Sequence, residues 1–283
     1  MSNFGPLVEV GWLRAHLGED DLIVLDASAY LPAEGRDGRA LYRQAHIPGA
    51  RFFDIELFSD PETGLPHMAP SQGRFARLAG ELGLRNDARV VVYDQKGLFS
   101  AARAWWLLKL FGHARLAVLD GGLPAWTGAG LATALGEPAP AAPTRLQVAF
   151  RPALLRGLGD VWANIDSGRE LVLDARGAAR FTGEAPELRA GIAPGHVPGS
   201  ASLPFTELLE ADGRLKPAAT LRALFAARGA DGARPVVTSC GSGLTAAILL
   251  LALEAASLPE GALYDGSWTE WGGREDTPKA LGA

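Results

Sequence analysis

An internal repeat constrains the fold of this chain more than any other feature of its sequence. Four short blocks occur in the same order in both halves, separated by about 145 to 150 residues. The blocks are LIVLDAS, AHIPGA, VVVYDQKG and VLDGGLPAW in the first half, and LVLDARG, GHVPGS, VVTSCGSG and LYDGSWTEW in the second. The aligned residues are Asp26 with Asp174, His46 with His196, Asp94 with Cys240, and Asp120 with Asp265. Such a pattern indicates a duplicated domain.

Within each copy, short β-branched runs alternate with helical stretches. The runs Val90–Tyr93 and Val236–Thr238 are predicted strands, and each leads through a glycine-containing turn into a predicted helix. These helices cover Ser100–Leu110 and Thr245–Glu254. The alternation predicts an α/β fold of two tandem domains, each with a parallel sheet flanked by helices.

The stretch between the two copies is rich in proline and alanine. It has no apolar periodicity, and its composition favours extended backbone. We therefore predict a first domain over residues 1–135, a linker over 136–149 and a second domain over 150–283.

Charge and hydropathy exclude two classes of partner. The net charge is −5, so the chain lacks the basic excess that binds nucleic acids or anionic membranes. The longest apolar run, Ala246–Ala256, contains Glu254 and falls short of the ~20 residues of a membrane helix. Residues Met1–Val10 lack the basic and apolar segments of a secretory signal. We expect a cytoplasmic protein that binds neither nucleic acid nor membrane.

Cys240 is the only cysteine in the sequence, which excludes an intrachain disulfide and a zinc site with several thiolates. A single cysteine is often just a small buried apolar residue. Here, however, it follows a predicted central strand and precedes a helix, where open α/β sheets bind ligands. Gly241 and Gly243 allow successive N–H groups to face one anion, and the helix dipole adds to their effect. Both features favour a thiolate, so we interpret Cys240 as a nucleophile.

Two other kinds of cysteine enzyme fit the sequence poorly. A cysteine phosphatase needs an arginine at the sixth position after the nucleophile to bind phosphate, and Ala246 stands there. A papain-like protease needs a histidine directed at the cysteine. None of the five histidines has protease-like neighbours.

The repeat, the paired AHIPGA and GHVPGS segments and the CGSGLTA loop together resemble the tandem-domain rhodanese sulfurtransferases, over nearly the whole chain. The resemblance implies that only the second domain is catalytic. Asp94, which occupies the position of Cys240 in the first copy, agrees with that asymmetry because a carboxylate cannot accept sulfur. In this family, enzymes that use thiosulfate have two basic residues after the cysteine, whereas those that use mercaptopyruvate have Gly-Ser-Gly. The neutral loop of this chain resembles the latter group.

The resemblance also implies a set of substrate-binding residues. Two arginines of the second domain, Arg180 and Arg189, match the pair that binds the donor's carboxylate and keto oxygens. Without the family context, both could equally be solvated surface charges. The remaining predicted contacts come from the loop after the cysteine, namely Gly241, Gly243, Leu244 and Thr245.

Three further residues are predicted to assist catalysis. In the family, an acidic residue and a histidine of the first domain approach the cysteine, and Glu56 and His67 match them. Some relatives have aspartate at the position of Glu56, so that assignment is the weaker one. Ser242 is predicted to relay a proton with these two residues. We interpret His46 and His196 as structural turn residues.

The resemblance implies a sulfurtransferase that moves sulfur from 3-mercaptopyruvate to an acceptor through a persulfide on Cys240, releasing pyruvate. The acceptor would be cyanide or a thiol such as thioredoxin, and no metal or organic cofactor is expected. Two alternatives remain open. The donor could be thiosulfate, or the chain could be a non-catalytic sulfur carrier or binding module.

Overall fold

The computed structural model describes residues 4–282 of the chain. Its described part contains two five-stranded sheets in which all paired strands are parallel. The first sheet has the order β1-β5-β4-β2-β3 and the second the order β6-β10-β9-β7-β8, which is the same order once the repeat is aligned. The predicted class, two tandem α/β domains with parallel sheets, is therefore confirmed.

The strands of the first sheet are β1 (Leu7–Val8), β2 (Leu22–Asp26), β3 (Arg51–Phe52), β4 (Arg89–Tyr93) and β5 (Leu116–Leu119). Those of the second are β6 (Leu155–Arg156), β7 (Leu171–Asp174), β8 (Ala201–Ser202), β9 (Val236–Ser239) and β10 (Ala262–Tyr264). Val90–Tyr93 of β4 and all four residues of β9 are buried, because helices cover the two faces of each sheet.

The helices of the first half are α1 (Val10–His16), α2 (Gly38–Gln44), α3 (Gln72–Glu81), α4 (Ala101–Leu110) and α5 (Gly122–Gly128). Those of the second are α6 (Leu158–Ser167), α7 (Ala178–Thr182), α8 (Ala218–Ala226), α9 (Ala246–Ala255) and α10 (Ser267–Trp271). No helix among the described residues is long and apolar enough to cross a membrane.

The helices that follow the central strands are buried nearly all round. In α9, every residue from Ala246 to Leu253 is buried, and α4 buries Trp105 and Trp106. A helix that is apolar on all faces belongs in a core. The N-terminus of each of these two helices is therefore held firmly at the carboxyl end of its sheet, where ligands of open α/β sheets bind.

The chain forms two compact units. The first comprises the residues up to Asp60 together with Ala69–Arg151 and Glu210–Leu215. The second comprises Pro61–Met68, Pro152–Leu209 and the residues from Lys216 onward. Each unit thus contains a short segment from the other half of the sequence.

The stretch predicted as a linker is packed within the first unit. The Thr144 N–H donates to the Gly80 carbonyl over 2.9 Å, and Glu137 forms an ion pair with Arg43 over 2.7 Å. The stretch has neither helix nor strand, as its proline content predicts, but side chains and backbone hold it in place.

Candidate functional site

Cys240 lies directly beyond the carboxyl end of β9, the central strand of the second sheet. Its side chain is buried and the residue is 2% exposed. The loop Gly241–Thr245 follows and leads into α9, with Gly243 in the left-handed region at φ 74°. The thiol therefore sits where the strand, the glycine loop and the helix N-terminus meet, as the sequence predicts.

The first two residues of α10 fix the backbone of Cys240. The Cys240 N–H donates to Ser267 Oγ over 3.2 Å, and that hydroxyl donates to the Tyr264 carbonyl over 2.8 Å. The Cys240 carbonyl accepts from the Trp268 N–H over 2.9 Å. Ser267 has a φ of 50°, a left-handed backbone conformation that favours glycine over residues with a side chain. The serine therefore adopts this conformation at an energetic cost.

Sequence reasoning missed Ser267, although the repeat carried a signal. The aligned residue of the first copy is Gly122, and it has nearly the same backbone conformation, at φ 54°. A serine that stands where the other copy has a left-handed glycine points to a specific task for its side chain.

The first copy of the loop shows what its backbone can bind. There the Asp94 carboxylate accepts hydrogen bonds from four N–H groups: Lys96 over 2.8 Å, Phe99 over 2.7 Å, Ser100 over 2.9 Å and Ala101 over 2.9 Å. The loop is therefore an anion cradle, and in the first domain its anion is part of the chain.

In the second copy, the corresponding N–H groups belong to Ser242, Thr245, Ala246 and Ala247. Among residues 4–282, none of these four groups donates to a backbone carbonyl. They are therefore available to a negatively charged sulfur on Cys240, in the way that their counterparts bind Asp94.

His67 contacts this loop directly. Its Nδ1 lies 2.9 Å from Ser242 Oγ and 3.3 Å from the Ser242 carbonyl oxygen. The histidine is buried and has a φ of 63°, and its segment Pro61–Met68 belongs to the second unit. The structure therefore brings together three of the four predicted catalytic residues: Cys240, Ser242 and His67.

Glu56, the fourth predicted catalytic residue, lies in the first unit on the turn after β3. It is exposed, and it lines a cavity of about 300 Å³ together with Tyr30 and Arg36. Its part in a proton relay stays a prediction.

The two predicted donor-binding arginines differ in their surroundings. Arg180 lies on α7 against Gly241: a methyl group added at Gly241 would be 3.3 Å from Arg180 Nη2. It forms an ion pair with the buried carboxylate of Glu187. Arg189 lies in the loop after α7, is half-buried and forms no ion pair among the described residues 4–282. Within the Cys240 loop, Leu244 is buried and Thr245 is half-buried.

The two histidines interpreted as structural occupy equivalent bridges: the backbone of His46 pairs with that of Ala134, and the backbone of His196 pairs with that of Ala280. His46 Nδ1 lies 3.0 Å from the Tyr42 carbonyl, and His196 Nδ1 lies 2.9 Å from the Phe181 carbonyl. Across residues 4–282, no group of three His, Cys, Asp or Glu side chains is arranged to hold a metal ion. The chemistry available at the site is that of a thiol, a Ser–His pair, backbone amides and the Arg180 guanidinium, and the part of Arg189 in donor binding stays a prediction.

Comparison with known proteins agrees with this arrangement. Both halves of the chain match the family model of the rhodanese-like domain, over residues 9–129 and 158–274. The 3-mercaptopyruvate sulfurtransferase of Escherichia coli K12 is 42% identical over 96% of this chain and 96% of its own length. The rat enzyme of the same name is 41% identical over 95% of this chain and 92% of its own length.

A crystal structure gives the same result in three dimensions. SseA from Escherichia coli, described as a 3-mercaptopyruvate sulfotransferase with the rhodanese fold, superposes with a TM-score of 0.85 at 40% identity. The match covers 93% of this chain and 99% of that one. Another relative, from Arabidopsis thaliana, is named thiosulfate/3-mercaptopyruvate sulfurtransferase 1, mitochondrial, and is 42% identical over 98% of this chain and 79% of its own length.

Proposed function

We propose, from the premise that this chain belongs to the family of sulfurtransferases with two rhodanese-like domains, that it transfers sulfur from 3-mercaptopyruvate through a persulfide on Cys240. The observation that carries this proposal is the pair of loops. One loop holds the Asp94 carboxylate on four N–H groups, and the other offers the same groups to the only thiol of the chain.

In the first half-reaction, the Cys240 thiolate attacks the sulfur atom of 3-mercaptopyruvate. An S–S bond forms and the donor's C–S bond breaks, with its electron pair passing to C3 of the leaving pyruvate enolate. The proton carried by the donor's thiol ends on C3, so the products are pyruvate and a Cys240 persulfide anion. The loop N–H groups stabilise the negative sulfur because they are fixed before the reaction begins.

The transferred proton needs a carrier between the donor's sulfur and C3. The Ser242 hydroxyl, in contact with His67 Nδ1, is suited to this task because each partner can both donate and accept a proton. Glu56 would complete the relay by stabilising a protonated His67.

Donor binding is assigned to the arginines and the loop. Arg180 and Arg189 would hold the carboxylate and keto oxygens, since a guanidinium can donate two parallel hydrogen bonds to such a pair. Backbone groups of Gly241, Gly243, Leu244 and Thr245 would surround the sulfur end.

In the second half-reaction, a nucleophile attacks the outer sulfur and restores the Cys240 thiolate. Cyanide would leave as thiocyanate. A thiol such as that of thioredoxin would leave as a persulfide, which a second thiol resolves to a disulfide and hydrogen sulfide. The acceptor in the cell stays a prediction, as does the cytoplasmic location, given that one relative is named as mitochondrial.

One alternative donor has a specific observation in its favour. The Arabidopsis relative carries both thiosulfate and 3-mercaptopyruvate in its name, so thiosulfate is a second candidate donor here. The neutral residues Gly241 and Ser242 argue for the less highly charged donor, because they add no attraction for a dianion.

The test is to mix the purified protein with each donor separately, and then to measure pyruvate release and the mass of the protein. The only cysteine makes the added sulfur unambiguous. We expect 3-mercaptopyruvate to give pyruvate and one added sulfur in equal amounts, and Cys240→Ser to give neither while keeping its fold. A carrier without activity would release no pyruvate, and a thiosulfate enzyme would load sulfur mainly from thiosulfate.

A further inference from the structure

Glu187 connects two arginines beside the Cys240 loop. Its Oε1 is 2.6 Å from Arg176 Nη1, and its Oε2 accepts from Arg180 Nε over 3.2 Å and from Arg180 Nη2. The Glu187 side chain is 4% exposed, whereas that of Arg180 is 21% exposed. A carboxylate this deeply buried needs such partners, because desolvation of an unpaired charge is costly.

Arg176 anchors this arrangement from the interior. It pairs with Asp174 over 2.7 Å and donates to the Gly195 carbonyl over 2.7 Å. Its guanidinium also lies 4.5 Å from the centre of the Trp268 ring. Since Arg176 is held on three sides, Glu187 is held as well, and Glu187 in turn fixes Arg180 against Gly241.

The same network determines how much positive charge faces the sulfur donor. Asp174 and Glu187 together balance Arg176 and Arg180, so these four groups are neutral as a set. Arg189 is then the one arginine of the donor pair without an ion pair among residues 4–282. Coulomb attraction scales with the product of the charges, so each added positive charge helps a dianion about twice as much as a monoanion.

We propose that Glu187 determines donor specificity, by fixing Arg180 at the Cys240 loop and neutralising its charge, so that the site favours a donor with one negative charge over a dianion. This proposal rests on the proposed function, in which Arg180 and Arg189 bind the donor. At neutral pH, 3-mercaptopyruvate carries one carboxylate charge, whereas thiosulfate carries two charges. Nothing in the sequence of the loop itself would reveal this role, because Glu187 lies in a different segment.

The test is a cycle of variants assayed with both donors and cyanide as acceptor. For each variant, the ratio of kcat/KM for thiosulfate to kcat/KM for 3-mercaptopyruvate is measured. We expect Glu187→Gln to raise this ratio about tenfold, which corresponds to about 1.4 kcal/mol. Arg180→Gln should lower it severalfold, and the double variant should return it to within about threefold of the unmodified protein, because the two charges cancel.

Glu170→Gln is the matched control. Glu170 also pairs with an arginine of the second unit, Arg156, over 2.6 Å, so this variant changes the net charge of the protein equally. Its ratio should equal that of the unmodified protein.

Two outcomes would overturn the proposal: a Glu187→Gln ratio equal to that of the control, which is what an equal loss with both donors gives, or a double variant whose ratio stays shifted. Circular dichroism checks that each variant folds. If Glu187→Gln does not fold, the Arg180→Gln variant provides the test. A rise in its ratio of kcat/KM for thiosulfate to kcat/KM for 3-mercaptopyruvate contradicts the charge argument. Failure of the proposed function looks different, since the unmodified protein would then release no pyruvate from 3-mercaptopyruvate.

Discussion

In the proposed function, Ser242 would act through two separate groups, its N–H and its hydroxyl. Ser242→Ala keeps the backbone of the loop and removes the hydroxyl that lies 2.9 Å from His67 Nδ1. We expect the rate of pyruvate release to fall about 100-fold or more, the usual contribution of positioned acid–base groups. The attack of cyanide on the preformed persulfide needs no proton at carbon and should change less than about threefold. Stopped-flow measurement of each half-reaction separates the two effects.

Ser200→Ala is the control for this variant. Ser200 also bonds a neighbouring group, the Val197 carbonyl over 2.7 Å, but it lies in a turn after His196. Both rates should stay unchanged in the control. Equal slowing of the two half-reactions in Ser242→Ala would show that the hydroxyl supports the loop instead of moving a proton.

Of the two arginines proposed to bind the donor, Arg189 is the one whose charge is not balanced by an ion pair among residues 4–282. Arg189→Ala should raise KM for 3-mercaptopyruvate by about tenfold to somewhat above a hundredfold, since a hydrogen bond to a charged group contributes roughly 1.5–3 kcal/mol. The second half-reaction should be unaffected, because pyruvate has left by then. Arg228→Ala, which removes a distant ion pair with Glu207, should leave KM unchanged. An unchanged KM in Arg189→Ala would show that Arg189 does not bind the donor.

At the scale of elements, the loop between β4 and α4 depends on Asp94. Its carboxylate is the acceptor for four backbone N–H groups, so Asp94→Ala leaves all four without that partner. We expect the free energy of unfolding to fall by about 2–4 kcal/mol, because unsatisfied buried donors are costly. Asp94→Asn should lose less, since its amide oxygen still accepts. Urea denaturation followed by circular dichroism measures the difference.

Asp231→Ala provides the comparison at an exposed turn, where one carboxylate oxygen accepts only from the Ala233 N–H over 3.0 Å. Its effect should stay within about 0.5 kcal/mol. If Asp94→Ala were equally mild, the four hydrogen bonds would contribute nothing net, and the loop could not be regarded as an anion cradle.

The elements themselves were largely predictable from the sequence. The strand predicted over Val236–Thr238 extends to Ser239, and the helix predicted over Ser100–Leu110 begins at Ala101. Such agreement arises because strands and helices buried on all sides are mostly apolar. The Glu187 network was not predictable, since isolated charged residues look like surface residues until tertiary contacts bury them. The role of Ser267 was not predicted for a related reason: its hydrogen bond depends on a positive φ and on Cys240, a partner distant in sequence.

At the scale of the whole molecule, stability should depend on pH through Asp26. This residue is buried beside Asp94; burial and, less strongly, that neighbouring charge raise the pKa of Asp26 from 3.8 to about 6, although hydrogen bonds from Ser28 oppose the change. The folded state therefore holds its proton more tightly than the unfolded state does. Stability from this group is complete below pH 3.8 and is lost as the pH rises to about 6, by about 3 kcal/mol.

Asp26→Asn removes this titration, because an amide stays neutral throughout. The free energy of unfolding, measured by urea denaturation at several pH values between 4 and 7, should fall less steeply with pH in the variant than in the unmodified protein. Asp231→Asn should leave the pH dependence as it is. Parallel curves for Asp26→Asn and the unmodified protein would show that Asp26 ionises normally in the folded state.

The duplicated architecture followed from the repeat alone, because four aligned blocks require equivalent places in two similar sheets. The exchange of short segments between the compact units could not be predicted from the repeat. Residues Pro61–Met68 and Glu210–Leu215 each pack with the unit formed mainly by the other half. Their sequences carry no periodic pattern, and only long-range contacts decide where such loops lie. That exchange is also what brings His67 into the second unit.

The Asp94 cradle implies an asymmetry in how the two domains respond to turnover. The first domain carries its anion in its own covalent structure, so its loop never changes occupancy. In the proposed function, the loop of the second domain gains a further negatively charged acceptor, the outer sulfur of the persulfide, only while sulfur is attached to Cys240. Loading with donor is then a form of ligand stabilisation confined to one half, and amide hydrogen exchange should slow at the start of α9 but not at the start of α4. The enzyme would be most resistant to local opening at the moment when it holds its most reactive group.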